Sequence, residues 1–94
     1  MNIGLSELQL SQIITVLDEE TVEKAKIFGS RAKGNWRYNS DIDIVVWGGE
    51  VNLAHLLGVL DELPMPYKFD VVDYHKITNT ALREHIDRVG ILVF

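Results

Sequence analysis

The sequence predicts a single mixed α/β (α+β) domain, and three observations carry that prediction. Apolar residues recur at helical spacing in three segments, short runs rich in β-branched residues lie between them, and Gly, Pro, Asn and Ser punctuate the junctions. With 94 residues, the chain is long enough for one domain over 1–94 and too short for two.

The elements follow in order. Ser6 is placed to cap a helix reaching about Glu19, with Leu10, Ile13, Ile14 and Leu17 at helical spacing. The acidic run Asp18-Glu19-Glu20 is unfavourable at a helix C-terminus and marks its end. Ala25 to Phe28 reads as a short strand, and Ser30 to Lys33 as a short helix closed by Gly34. A loop from Asn35 to Ser40 carries Trp36, Arg37 and Tyr38. Asp41 to Trp47 is the clearest strand, bounded by Gly48-Gly49. Asn52 caps the next helix, whose stripe is Leu53, Leu56, Leu57, Leu60 and Leu63, and Pro64 and Pro66 end it. Tyr67 to Asp73 is a further strand. Thr78 or Asn79 caps a last helix with Leu82, His85, Ile86 and Val89 inward, and Gly90 separates it from a final strand over Ile91 to Phe94.

Composition narrows the function. Hydrophobic residues make up 47% of the chain, which suits a folded domain with a modest core. So small a domain has a limited stability margin, and association with a second copy or another protein is expected. The net charge of −5 argues against a general nucleic-acid binder, which is usually basic. No apolar run is long enough to span a membrane, and the N-terminus lacks a basic-then-apolar secretory pattern. The absence of cysteine excludes disulfides and thiolate metal sites, and a cytoplasmic location is expected. Lys24, Lys26, Arg31, Lys33 and Arg37 nevertheless gather in one stretch just before Asp41. That asymmetry suits an anionic ligand beside a metal site, although each residue also fits a solvated strand edge or loop.

Asp41 and Asp43 stand two apart on a predicted strand, so both carboxylates leave one face while Ile42 and Ile44 face a core. At about 7 Å and an effective dielectric near 20, two such charges repel by roughly 2 kcal/mol. A cation or hydrogen-bond donors would offset that repulsion, and magnesium takes hard oxygen ligands of this kind. Two solvated acids on an exposed strand face are the alternative. Gly29-Ser30 lies at a strand-to-helix turn, where glycine admits close backbone approach and free N–H groups bind phosphate. Phosphate donors thus end one strand and carboxylates begin the next. Asp70, an acid between Phe69 and Val71 in a strand otherwise fit for burial, is the candidate third carboxylate, with a salt bridge to Lys68 as its alternative. Asp73 has the opposite strand parity and is expected to order the following loop. His85 reads as a core histidine, His55 as a surface one, and His75 as a neighbour of the site.

Taken together, Gly29-Ser30-Arg31-Ala32-Lys33-Gly34, Ser40-Asp41-Ile42-Asp43-Ile44 and Phe69-Asp70-Val71-Val72-Asp73 resemble the minimal nucleotidyltransferases of the DNA polymerase beta superfamily. The resemblance runs from the first strand to Gly90. It implies a mixed β-sheet with helices packed on one face and the active site on the other. It implies that Gly29 and Ser30 hold the phosphates of ATP or another nucleoside triphosphate, with Arg31 and Lys33 as further phosphate contacts. It also implies that Asp41, Asp43 and Asp70 bind two Mg2+ ions and carry the catalysis.

Larger relatives carry a second, acceptor-binding domain, for which these residues leave no room. The acceptor is therefore expected to be a macromolecule. The minimal family resembles antitoxins that pair with a helical HEPN-type ribonuclease toxin and, in some cases, adenylylate it on tyrosine. The alternatives are a non-catalytic nucleotide-binding subunit that neutralises its partner by occlusion, or one that completes a split enzyme. Trp36 and Tyr38 are candidates for base stacking, partner contact or loop anchoring.

Overall fold

The computed structural model describes residues 2–94. Helix α1 spans Glu7–Glu19 and opens on a reciprocal cap: Ser6 Oγ accepts the Gln9 N–H and Gln9 Oε1 accepts the Ser6 N–H, each at 3.0 Å. Strand β1 (Lys24–Phe28) runs directly into the short helix α2 (Gly29–Lys33), which Gly34 terminates with a left-handed φ of 84°. Strand β2 is Ile42–Trp47 and helix α3 is Leu53–Asp61. Asn52 caps α3 by accepting the His55 N–H at 3.1 Å. Helix α3 stops short of Leu63 because a residue preceding proline is disfavoured in helical geometry. Strand β3 (Phe69–Asp73), a 3-10 turn (Tyr74–Lys76), helix α4 (Thr80–Val89) and strand β4 (Ile91–Leu92) complete the chain. Of the two possible caps for α4, Asn79 serves, accepting the Leu82 N–H at 3.1 Å.

The sheet order is β3-β2-β1-β4. Strand β2 pairs parallel with β3, and β1 pairs antiparallel with both β2 and β4. The sheet is therefore mixed, as the family resemblance implies. Side-chain alternation divides it into two faces. Ile42, Ile44, Val46, Ala25, Ile27 and Phe69 pack with Ile13 and Leu17 of α1 and Leu56 and Leu60 of α3. Most of these are fully buried, and this layer is the main core. The opposite face carries a smaller cluster in which Phe28 and Val45 meet Ile86 of α4, with Val72 and Leu82 beside them. The two apolar helices α1 and α3 thus cover one face. Helix α4 supports part of the other and leaves its remaining end to polar side chains.

Candidate active site

Strand pairing brings the candidate carboxylates together. Asp43 sits opposite Phe28 of β1 and opposite Asp70 of β3. Asp41 immediately precedes β2 rather than lying in it, and it is exposed, as is Asp70. Asp43 is half-buried. Its pKa is pushed up from 3.8 to about 6, first by burial and then by the negative charges of Asp70 and Asp41, while the Arg31 guanidinium pulls it back. The three carboxylates therefore lie within electrostatic reach of one another. The one ion pair among the described residues is His55 with Glu20, so neither Lys68 nor any other cation is salt-bridged to them.

The turn between β1 and α2 closes against this group. Gly29 has φ +72°, and a Cβ placed on it would collide with the Asp43 carboxylate. Glycine is needed there both for the left-handed backbone and for the space. Ser30 follows in the first turn of α2. Replacing Gly29 with alanine is expected to cost about 1–2 kcal/mol from the backbone strain and to displace Asp43. A thermal melt that does not fall would show that the turn is less constrained than this.

The donor set fits magnesium. It is a group of hard oxygens without an ion-pair partner, and Asp43 has a raised proton affinity, first from burial and then from the neighbouring carboxylates. Among the described residues no three acidic or histidine side chains are gathered tightly enough to hold an ion by themselves. A magnesium ion here would need waters and substrate oxygens beside one or two of these carboxylates.

Arg31 corrects the sequence-based expectation of a phosphate contact. Its side chain is only 1% exposed. Nη1 donates to the carbonyls of Ile3 and Gly4 at 3.0 and 3.2 Å, while Nε and Nη2 donate to Ser40 O at 3.3 and 2.7 Å. Its guanidinium lies 4.5 Å from the Tyr67 ring and 5.8 Å from that of Trp36. So engaged, it spends its donors on backbone carbonyls. It ties the N-terminal segment to the residue before Asp41. Trp36 accordingly anchors its loop, whereas Tyr38 is 83% exposed. The basic stretch also divides: the Lys24 and Lys26 ammonium groups extend over the Trp47 ring at the other end of β2, and Lys33 and Arg37 remain exposed.

His75 is not a neighbour of the site. It follows the C-terminal end of β3, whereas Asp70 is near the N-terminal end. Asp73 orders that turn, accepting the His75 N–H at 3.0 Å. A cavity of about 380 Å3 also lies at that end, lined by Leu53, Val71, Val72, Asp73 and Leu82 among others, and it includes none of the three candidate carboxylates. The residue that sequence reasoning missed is His85, whose Nε2 accepts the Gly29 N–H at 3.2 Å. Helical spacing places His85 on the inward face of α4, but only the topology brings that face to the Gly29 turn.

The family described as "Polymerase beta, Nucleotidyltransferase" matches residues 11–94. No curated protein matches the sequence. Among solved structures, a toxin–antitoxin complex with AMP-PNP is 26% identical, with a TM-score of 0.76, over 90% of this chain and 72% of that one. A Shewanella oneidensis structure of a tri-AMPylated HEPN toxin in complex with an MNT antitoxin is 23% identical, with a TM-score of 0.65, over 96% of this chain and 72% of that one. A structure described as a minimal nucleotidyltransferase is 23% identical, with a TM-score of 0.67, over 97% of this chain and 95% of that one. No helix among the described residues is long and apolar enough to cross a membrane.

Proposed function

This chain belongs to the polymerase beta nucleotidyltransferase family, and from that premise we propose that it moves AMP from ATP to a hydroxyl of a HEPN-type partner toxin in a magnesium-dependent reaction. The observation that carries the reading is Asp43: a half-buried carboxylate with its pKa pushed up to about 6, flanked by Asp70 and Asp41 and pressed against the Gly29 turn. The AMP-PNP in one structural neighbour and the AMPylated toxin in another favour adenylate as the group moved and a HEPN-type protein as its acceptor.

In this reading Asp41, Asp43 and Asp70 would hold two Mg2+ ions. When bound, these ions lower the pKa of the attacking hydroxyl and neutralise the triphosphate. Ser30 binds the β- and γ-phosphates through its backbone N–H and hydroxyl, Gly29 lets them approach the turn closely because it has no side chain, and exposed Lys33 adds positive charge. The acceptor oxygen bonds to the α-phosphorus, the bond to the β-phosphate oxygen breaks, and pyrophosphate leaves. Asp70, exposed on the edge strand β3, is open to a macromolecular acceptor and takes the hydroxyl proton.

The test is incubation of the chain and its partner with Mg2+ and ATP labelled at the α-phosphate. Label is expected on the partner, and its absence while a positive control transfers would end the enzymatic reading. Occlusion without chemistry is the second reading, favoured by Leu8, a large apolar residue 67% exposed on α1. The double variant Asp41→Asn/Asp43→Asn separates the two. Neutralisation of the partner survives it under occlusion and disappears under modification.

A further inference from the structure

Gly29 is the first residue of α2, so its N–H has no acceptor within that helix. The acceptor comes from 56 residues further along the chain, as His85 Nε2 on α4 at 3.2 Å. The imidazole is fixed in turn by an edge-on contact with Phe28, their ring centroids 6.1 Å apart and the planes at 79°. An Nε2 that accepts is unprotonated, so the neutral ring carries its proton on Nδ1. Gly29 is also the residue whose missing Cβ leaves room for the Asp43 carboxylate. Without His85, that N–H would be left to water or would turn toward Asp43.

We propose that His85 is a positioning residue for the nucleotide: by accepting the Gly29 N–H it holds the β1–α2 turn in the conformation that presents Ser30 to phosphate and leaves the Asp43 oxygens free for a cation. It acts through Gly29 and does not touch the substrate. This rests on the reading of Gly29-Ser30 as the triphosphate turn. The role is one of preorganisation, so its loss weakens nucleotide binding more than it slows the chemical step.

The test compares binding of Mg·AMP-PNP by the wild-type chain, His85→Leu and His85→Gln, with a thermal melt of each and steady-state transfer to the partner. Leucine keeps an apolar side chain against Phe28 and removes the acceptor. It is expected to weaken AMP-PNP binding, and raise KM for ATP, by about fivefold to tenfold, with kcat within about twofold, the scale of one hydrogen bond. Glutamine places an amide oxygen near the position of Nε2 and is expected to recover affinity to within about twofold of wild type. A purely packing role for His85 predicts the reverse order, with leucine tolerated and glutamine harmful. Leucine binding as tightly as wild type, or glutamine as weakly as leucine, overturns the proposal. Should the leucine variant not fold, His85→Asn replaces it. Its side chain is too short to reach Gly29 and must show the same loss, and unchanged affinity overturns the inference equally. If wild-type protein does not bind Mg·AMP-PNP at all, the reading of the turn as a nucleotide site fails, and the role of His85 fails with it. Wild-type binding with no loss in the acceptor-deleted variant removes the His85 role alone.

Discussion

Asp43→Asn is expected to cut transfer by about two to three orders of magnitude while making the metal-free protein more stable at neutral pH. The two effects have one physical origin. Asp43 has its pKa raised from 3.8 to about 6 by burial and by the charges of Asp70 and Asp41. Between those values the folded chain holds the proton more tightly than the unfolded chain. Stability therefore falls as pH rises through the window from about 4 to 6, and the full penalty persists above it. Asparagine never ionises and escapes the penalty. Because Asp43 is only half-buried, screening reduces the effect to about 1 kcal/mol, or roughly 4–8 °C in Tm for a domain of this size. Melts in EDTA at pH 7.5 should place the variant above wild type, and the gap should close below pH 4. Added Mg2+ should raise the wild-type Tm and leave the variant nearly unmoved. Transfer should drop by about 100- to 1,000-fold, as when one group aimed at developing charge is removed. A variant that melts below wild type at pH 7.5 in EDTA would show that the three carboxylates are not the unrelieved charge cluster described above.

Much of this site is legible in the sequence because each signal is local. Period-two alternation puts Asp43 opposite in facing to Ile42 and Ile44, and the order of β1, turn and β2 places Gly29 near the start of the carboxylate strand. Composition also separates β3 from the helices around it. What the sequence leaves open is which strands are neighbours. The parallel pairing that sets Asp70 against Asp43 is a long-range choice, and no residue in either strand encodes it alone. The same limit explains His75, which stands close to Asp70 in the chain but beyond the far end of a strand. It explains His85 too: helical periodicity gives its direction, and the partner it faces is supplied by topology. Arg31 fails for a different reason. An arginine inside a phosphate-binding motif and an arginine spent on backbone carbonyls have the same local sequence, and only its burial distinguishes them.

That distinction makes Arg31 the position where substitution should hurt stability most. Its guanidinium satisfies three carbonyls from two segments, Ile3 and Gly4 on one side and Ser40 on the other. The packing leaves no slack, since a Cβ on Gly4, already at φ +75°, would fall 2.6 Å from Arg31 Nη1 and 2.9 Å from the Trp36 ring. Arg31→Met keeps an apolar chain of useful length but strips the donors from one buried and two part-buried carbonyls, at a cost of about 3–4 kcal/mol. For a domain of this size that is about 12–30 °C in Tm, a large fraction of the margin it has. Lysine retains the charge but not the fork: one ammonium cannot span both segments, so Arg31→Lys should recover less than half of the loss, and it too should melt well below wild type. Loss of the tie to Ser40 also frees the residue before Asp41, and transfer should fall at temperatures where the variant remains folded. The opposite pattern is the signature of a phosphate contact: Arg31→Lys would raise KM for ATP with its Tm unchanged, because an exposed cation contributes little to folding and lysine binds phosphate as a point charge. Paired melts and kinetics on the two variants decide between a ligand contact and a strut. The buried guanidinium, with four of its N–H groups directed at backbone oxygens, predicts the strut.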